Sequence, residues 1–164
     1  MDPFLVDAEK PVDIPCDVDS VRIINVSDEN IHCINIPQNI TEIDLEGHIT
    51  SYVIPSHIET FWGWSLGMNE IYVPDSVKQL WVDDNDLESI ELPSNIVIVC
   101  LSNNKLKNIT SRGPLTNIYH LDIRHNCMAQ LDIDLPNTMR EFYVEGNPDI
   151  RIKDTPSKRY NRIY

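Results

Sequence analysis

The residues best suited to chemistry are three tryptophans and the carboxylates that accompany them. Trp62, Trp64 and Trp81 are the only tryptophans of the chain, and Asp83 and Asp84 follow the last of them closely. Indole rings attract cations to their faces, and neighbouring carboxylates strengthen that attraction. This combination predicts a surface for groups that carry lysine or arginine.

A second set of residues has the types that zinc prefers. Cys100, His120, Asp122 and His125 could converge on adjacent strands, and two imidazoles with a thiolate suit zinc. Each of these residues also suits a solvated surface position, and the four cysteines form no C-x-x-C pair. We therefore assign no metal and no cofactor.

Catalysis has little support in the sequence. Glu42 and Asp44 are paired carboxylates, but no nucleophile or pocket accompanies them in the pattern. The chain has no glycine-rich loop for phosphate, and no cysteine lies in a context that matches a known catalytic one. The sequence indicates a non-enzymatic protein without catalytic residues.

A repeat must position all of these residues. In residues 73–93, positions 1, 4, 6, 9, 11 and 14 are Val77, Leu80, Val82, Asn85, Leu87 and Ile90. This L-x-x-L-x-L-x-x-N-x-L spacing is typical of a leucine-rich repeat, a short strand followed by a tight turn and an extended return. Seven repeats are predicted, starting at Val21, Ile40, Ile58, Val77, Ile96, Ile118 and Met139.

Proline supports the same register. The prolines that lie three residues before a predicted repeat start are Pro37, Pro55, Pro74, Pro93 and Pro136. Proline donates no hydrogen bond, so it suits an unpaired segment that enters a strand and would damage a central strand. Because the repeats are only 18 to 22 residues apart, we expect an extended or polyproline-like return instead of a helix.

The asparagines at position 9 are predicted to form a structural ladder along the turns. They are Asn85, Asn104, Asn126 and Asn147. They should point inward and bond backbone groups that no water reaches. The first three repeats carry Glu29, His48 and Leu66 there, which predicts more irregular turns in that half.

The predicted fold is therefore an all-β solenoid of leucine-rich repeats. It has about seven short repeats, a parallel concave sheet, an extended outer side and little helix. Residues 21–150 form the repeats, residues 1–20 an N-terminal cap over the open end of the core, and residues 151–164 a C-terminal cap or basic tail.

Strand alternation predicts which residues face a partner. If positions 4 and 6 are buried, positions 3, 5 and 7 point to the concave face. Position 5 then carries Asn25, Asp44, Trp62, Trp81, Cys100, Asp122 and Tyr143, and position 7 carries Ser27, Glu46, Trp64, Asp83, Ser102, Arg124 and Glu145. The predicted partner-binding residues are Trp62, Trp64, Trp81, Asp44, Glu46, Asp83, Asp84, Asp122 and Tyr143.

Charge and composition limit the partners. A net charge of −13 argues against direct nucleic-acid binding, which needs basic groups, and favours a basic protein partner. No apolar run approaches the roughly 20 residues that span a bilayer, and the N-terminus lacks the apolar core of a secretory signal. Four cysteines without metal spacing are typical of reduced thiols in a cytoplasmic protein.

The repeat unit resembles two groups of known proteins. The L/I/V-P-x-x-I/V/L-x-x-L-x-V-x-x-N-x-L pattern is similar to the short leucine-rich repeats of bacterial type III secreted effectors, including the substrate-binding half of their ubiquitin ligases. VPDSVKQLWV resembles the FNIP-type repeats of amoebae and large DNA viruses. Over residues 21–150 this resemblance implies the solenoid fold and a viral or bacterial effector in the cytoplasm of a host cell. The missing asparagines of the first three repeats and the lack of a ligase domain depart from the effector pattern.

Several interpretations of function remain open. The first is a protein–protein interaction module that binds a basic surface of a host protein through an acidic, tryptophan-rich concave face. The alternatives are the substrate-recognition portion of a larger ubiquitin ligase effector and an acidic nucleic-acid mimic. The tryptophans could also be covered by the N-terminal segment, form a homodimer seam, or bind a small molecule or glycan.

Overall fold

The computed structural model describes residues 2–10, 12–148, 150–152 and 161–163. Over these residues the chain forms a β-solenoid of about eight turns around one parallel sheet. In order across this sheet, the nine strands are β1 (Phe4–Asp7), β2 (Ser20–Ser27), β3 (Glu42–His48), β5 (Thr60–Trp62), β7 (Gln79–Trp81), β9 (Ile98–Cys100), β11 (His120–Asp122), β13 (Glu141–Tyr143) and β15 (Asn161–Ile163).

The return segments form short strands of their own. They are β4 (Ser51–Val53), β6 (Glu70–Tyr72), β8 (Ser89–Leu92), β10 (Asn108–Ser111), β12 (Gln130–Leu131) and β14 (Arg151–Ile152), which pair in parallel as β4–β6, β8–β10 and β12–β14. A single 3-10 turn, Ile31–Cys33, is the only helical element among the described residues. None of their helical segments has the length and hydropathy to cross a bilayer. The predicted all-β solenoid with a parallel sheet and little helix is confirmed.

The core lies between the sheet and the returns, and strand alternation fills it. Leu80 and Val82 are fully buried, whereas Trp81 between them is half-buried. Val99 and Leu101 are buried around Cys100 in the same way. Removing these side chains from water is the main driving force for the fold. The predicted phase, with positions 4 and 6 inward, is therefore confirmed for this part of the chain.

The prolines begin a recurrent turn that leads into each strand. The carbonyl of Pro74 accepts a hydrogen bond of 3.2 Å from the N–H of Val77, and the carbonyl of Pro93 accepts one of 3.4 Å from Ile96. The same contact joins Pro37 to Ile40, Pro55 to Ile58, and Pro136 to Met139. The proline ring fixes φ at the first residue of the turn, where no N–H is needed.

A left-handed residue follows the strands β5, β7, β9, β11 and β13, at position 8 of each repeat. The residues with positive φ there are Ser65 (57°), Asp84 (56°), Asn103 (53°), His125 (52°) and Gly146 (72°). Asparagine, aspartate, histidine and glycine are the residue types that adopt this conformation most readily. Position 8 therefore turns the chain away from the sheet, and Asp84 and Asn103 are exposed in this turn.

The predicted start of the first repeat at Val21 is wrong. Val21 pairs with Ile43 and Ile23 with Leu45, so Val21 occupies position 4 and Arg22, not Asn25, occupies position 5. The register shifts between Ile23 and Val26, and Asn25 has a φ of 59° within this bulge. VRIINV carries apolar residues in both alternating phases, so the sequence could not distinguish them.

The sheet extends beyond the predicted repeats. In β1, Phe4 pairs with Val21 and Val6 with Ile23, so residues 4–7 of the predicted N-terminal cap continue the sheet in the repeat register. At the other end β15 pairs in parallel with β13. Residues 153–160 and 164 of the predicted C-terminal segment lie outside the described residues.

Candidate functional site

The candidate site is the tryptophan face, which we define as the side of the nine-stranded sheet that points away from the core. Its central row follows from the strand register. In strand order this row is Leu5, Arg22, Asp44, Trp62, Trp81, Cys100, Asp122 and Tyr143. Six of the predicted position-5 residues are in this row, and Arg22 replaces Asn25.

Trp62 and Trp81 stack across neighbouring strands. Their ring centroids are 5.2 Å apart and their planes differ by 14°, close to the ~4.8 Å spacing between strands. The rings therefore stand side by side on the sheet, and each turns one face to each neighbouring strand. Trp64 is 55% exposed. Residues 4–7 of the N-terminal segment form an edge strand of the sheet, and Pro3 just before it borders Trp62 and Trp64.

A small pocket opens beside this stack. It has a volume of about 230 Å³, and its lining residues are Pro3, Ser20, Val21, Glu42, Asp44, Trp62 and Trp64. Asp44 is the register partner of Trp62 on the neighbouring strand. The free face of Trp62 is thus directed towards a carboxylate, and Glu42 lies two residues from Asp44 on the same side of β3. The pocket combines an aromatic wall with two acids.

Arg22 neutralises part of this acidic edge. Its Nη2 donates to Glu46 Oε2 at 2.6 Å, and its Nε lies 3.5 Å from Asp44 Oδ2. Partial burial raises the pKa of Asp44, whereas the Arg22 guanidinium opposes that rise. The sequence did not predict this pair, because the expected register put Asn25 at the position of Arg22.

The C-terminal half of the face holds a second arginine. Arg124 donates from Nε to Asp122 at 3.0 Å and from Nη2 at 2.5 Å, and its guanidinium carbon lies 5.1 Å from the centre of the Tyr143 ring. Asp122 is only 5% exposed. Asp122 was predicted to contact a partner, but its carboxylate is turned to Arg124. Tyr143 is half-buried beneath the same guanidinium.

The predicted acids Asp83 and Asp84 have different environments. Asp83 accepts hydrogen bonds from the N–H and hydroxyl of Ser102, at 2.8 and 2.7 Å. Burial raises its pKa, and the Ser102 bonds act against that rise. Asp84 is exposed in the left-handed turn. Among the predicted acids, Asp44 is thus the one that lines the pocket beside Trp62 and Trp64.

The position-9 asparagines connect adjacent turns. Asn85 accepts from the N–H groups of Leu66 and Met68 at 3.1 and 3.0 Å, and it donates to the carbonyl of Gly63 at 2.8 Å. Asn104, Asn126 and Asn147 each accept from one N–H of the preceding turn, those of Leu87, Leu106 and Met128. These bonds hold the strand ends that carry the tryptophan face at a fixed spacing.

Cys100, His120 and Glu141 form a chain of contacts, of which the sequence predicted the approach of Cys100 to His120 but not the part of Glu141. Cys100 Sγ lies 3.5 Å from His120 Nε2, and His120 Nδ1 lies 2.6 Å from Glu141 Oε2. The order resembles a thiol–imidazole–carboxylate triad. Burial, followed by the charges of Asp83 and Asp122, raises the pKa of Cys100 to about 12. This environment opposes the thiolate that nucleophilic catalysis requires.

Of the four residues in the zinc hypothesis, Cys100 and His120 are in contact and Asp122 is the register partner of Cys100, whereas His125 lies apart from them. Within the described residues no group of three or more His, Cys, Asp or Glu side chains is placed to hold a metal ion. His125 lies in a left-handed turn, where its ring covers Gly146. It is therefore not a third ligand beside Cys100 and His120.

We expect Cys100 to be the slowest of the cysteines to react with iodoacetamide. Cys16, Cys33 and Cys127 are exposed thiols, whereas the raised pKa of Cys100 reduces its thiolate fraction at pH 8. Mass spectrometry of the alkylated peptides should show Cys100 reacting at least about tenfold more slowly than the other three. Faster alkylation of Cys100, with loss of that advantage in a His120→Gln variant, would instead support an activated nucleophile.

Two larger cavities lie away from the tryptophan face. One of 520 Å³ lies between residues 108–115 and 132–134, and another of 440 Å³ lies between residues 12–14 and 33–37. Neither has an aromatic lining residue.

The chain matches no protein-family model and no curated protein. The candidate site therefore depends on geometry and chemistry alone.

Proposed function

We propose that the protein is a non-enzymatic interaction module whose tryptophan face binds a basic surface of another protein. The observation that carries this proposal is the Trp62–Trp81 stack, which lies beside a pocket lined by Glu42 and Asp44. Monomeric proteins seldom expose aromatic side chains of this size together without a binding role. Aromatic anchors within a polar rim are typical of binding hot spots.

The charge distribution favours a partner with lysine or arginine. A net charge of −13 attracts basic proteins and raises their rate of encounter. The tryptophans supply apolar area and cation–π attraction, which salt screens less than it screens exposed ion pairs. The face thus combines long-range attraction with a short-range anchor.

A double substitution of the stacked rings tests the proposal. Protein carrying Trp62→Ala and Trp81→Ala should lose the partners that the wild type captures from a lysate, with an affinity drop of about thirtyfold or more for each purified partner. Tyr72→Ala is the matched control, because Tyr72 is an exposed aromatic residue on the outer strand β6. If the double variant unfolds, the milder Trp64→Ala variant provides the test, since it should also weaken partner capture.

Salt distinguishes this proposal from a nucleic-acid mimic. Binding anchored by tryptophan should persist between 0.05 and 0.5 M NaCl, roughly, whereas binding through charge alone should fall steeply as the screening length shortens. Retention of every captured protein by the double variant would overturn the site. Complete loss of capture at moderate salt would favour the mimic.

We further propose the cytoplasm of a host cell as the setting. The resemblance of the repeats to those of secreted and viral effectors supports this, and the four cysteines are free thiols in the structure, as is usual in a reducing compartment. The substrate-recognition portion of a larger ubiquitin ligase remains the alternative role of such a module.

A further inference from the structure

We infer that the pocket formed by Glu42, Asp44, Trp62 and Trp64 is a specific site for one arginine side chain of the partner protein. This inference rests on the proposed function and names the residue type that the tryptophan face selects. The volume of about 230 Å³ is below the roughly 300–1,000 Å³ of clefts for small organic ligands. A single inserted side chain is therefore the appropriate occupant.

The molecule already contains the same arrangement with an arginine in it. In the C-terminal half, Asp122 and Tyr143 are register partners at position 5 of neighbouring strands. Arg124 lies between them, with its guanidinium paired to Asp122 and placed 5.1 Å from the Tyr143 ring centre. In the N-terminal half, Asp44 and Trp62 are likewise register partners at position 5.

The difference between the two sites is the residue at position 7 of the strand that carries the acid. On β11 and its extension that residue is Arg124, which fills the site from within the chain. On β3 the equivalent residue is Glu46, so the chain does not place a cation against Trp62 from that position. Among the described residues, no Lys or Arg forms an ion pair with Glu42.

The spacing of the acids favours guanidinium over ammonium. Arg22 already lies against Asp44 and Glu46, two residues apart on one side of β3: its Nη2 donates to Glu46, and its Nε lies 3.5 Å from Asp44 without a hydrogen bond. Glu42 and Asp44 have the same two-residue separation on the pocket side. A planar guanidinium can bridge two carboxylates and stack on an indole at once, whereas an ammonium group is a compact point charge.

The probe for the test is N-acetyl-arginine amide, compared with the citrulline and lysine analogues. Citrulline keeps the planar shape and lacks the charge. All three tryptophans lie on the tryptophan face, so their fluorescence and indole N–H resonances report binding there. We expect the arginine probe to bind in the millimolar range, to shift the Trp62 and Trp64 resonances, and to bind at least about tenfold more tightly than citrulline.

Two substitutions in the full chain locate the site. Glu46→Arg copies the position of Arg124 and should fill the pocket internally, so that probe binding is lost. Glu46→Gln is its matched control, because it removes the same partner of Arg22 without supplying a guanidinium, and it should retain binding. Glu42→Gln should weaken the arginine probe severalfold, whereas Glu70→Gln on the outer strand β6 should leave it unchanged.

The outcomes separate this inference from the proposed function. Equal binding of arginine and citrulline, tighter binding of lysine, or unchanged binding to Glu46→Arg would overturn the arginine pocket. If the probe behaves as expected but partner capture is unchanged in the Trp62→Ala/Trp81→Ala variant, the arginine pocket is supported and the interaction module is refuted. If partner capture is lost without Trp81 but is unchanged in the Glu42→Gln and Glu46→Arg variants, the interaction module is supported and the arginine pocket is refuted.

Discussion

Replacing Asn85 with alanine is expected to lower the free energy of unfolding by about 3–5 kcal/mol, because each buried polar group that loses its partner costs about 1–3 kcal/mol. Asn85 is 6% exposed. It is the acceptor for the N–H groups of Leu66 and Met68 and the donor to the carbonyl of Gly63. Alanine would leave all three groups in a turn that water does not reach.

Replacing Asn104 with alanine should lower the free energy of unfolding by less, about 2–3 kcal/mol. Three of its contacts are to carbonyls that have a second donor: Val82 from Asn85, Leu101 from Asn126, and Ser102 from the N–H of Asp84. Only the N–H of Leu87 depends on Asn104. We therefore expect Asn85→Ala to destabilise the protein more than Asn104→Ala does.

Urea unfolding followed by tryptophan fluorescence measures both values. Asn108→Ala is the control, since Asn108 is exposed on β10, and it should stay within about 0.5 kcal/mol of wild type. The ladder interpretation fails if Asn85→Ala matches this control or if Asn104→Ala is the more damaging substitution.

Much of the fold could be predicted because the repeats from Ile40 onward satisfy several independent patterns at once. Leu80 and Val82 alternate with Trp81, Pro74 begins the turn into the strand, and Asn85 closes the turn after it. Each pattern depends on local geometry that does not change from one repeat to the next. The parallel sheet follows from stacking such units.

The first repeat lacked that agreement. Its strand offers apolar residues in both phases, and a bulge at Asn25 with a φ of 59° changes the register in mid-strand. A bulge is a property of the strand pair and leaves little trace in one segment. The shift brought Arg22 onto the tryptophan face, so the charge of that face was predicted as more uniformly acidic than it is.

The candidate site was predictable in its aromatic part and not in its ion pairs. Alternation alone places Trp62, Trp64 and Trp81 on one side of the sheet. Arg22 and Arg124 have several rotatable bonds, and strand position does not decide which acid each one contacts. Their pairing with Asp44, Glu46 and Asp122 neutralises part of the face, and only coordinates show which acids are paired.

The second large effect on stability is expected at Gly63. Glycine is required there because a side chain would not fit in the space available, and not because of the backbone conformation. It lies between Trp62 and Trp64 at position 6, where the next repeat carries Val82. A Cβ on Gly63 would lie 2.5 Å from Cε1 of Phe61 and 3.2 Å from Cδ1 of Leu66. The Phe61 ring is fully buried, and it occupies the volume that positions 4 and 6 share in other repeats.

Gly63→Val should therefore destabilise the protein by about 3 kcal/mol through overpacking. Phe61→Leu alone should also destabilise it, by leaving a cavity. The double variant Phe61→Leu/Gly63→Val reproduces the Leu80 and Val82 pair of the next repeat, so it should recover about 2 kcal/mol relative to the sum of the single variants.

Thermal and urea unfolding of the four proteins gives this coupling energy directly. Gly113→Ala is the control for adding a methyl group elsewhere, since its nearest neighbour would be Cβ of Ser94 at 3.3 Å, and it should change stability by much less. Additive single effects would mean that Phe61 does not fill the space above Gly63. A positive coupling would instead show that the spacing of Trp62 and Trp64 on the tryptophan face depends on a compensating exchange of volume beneath them.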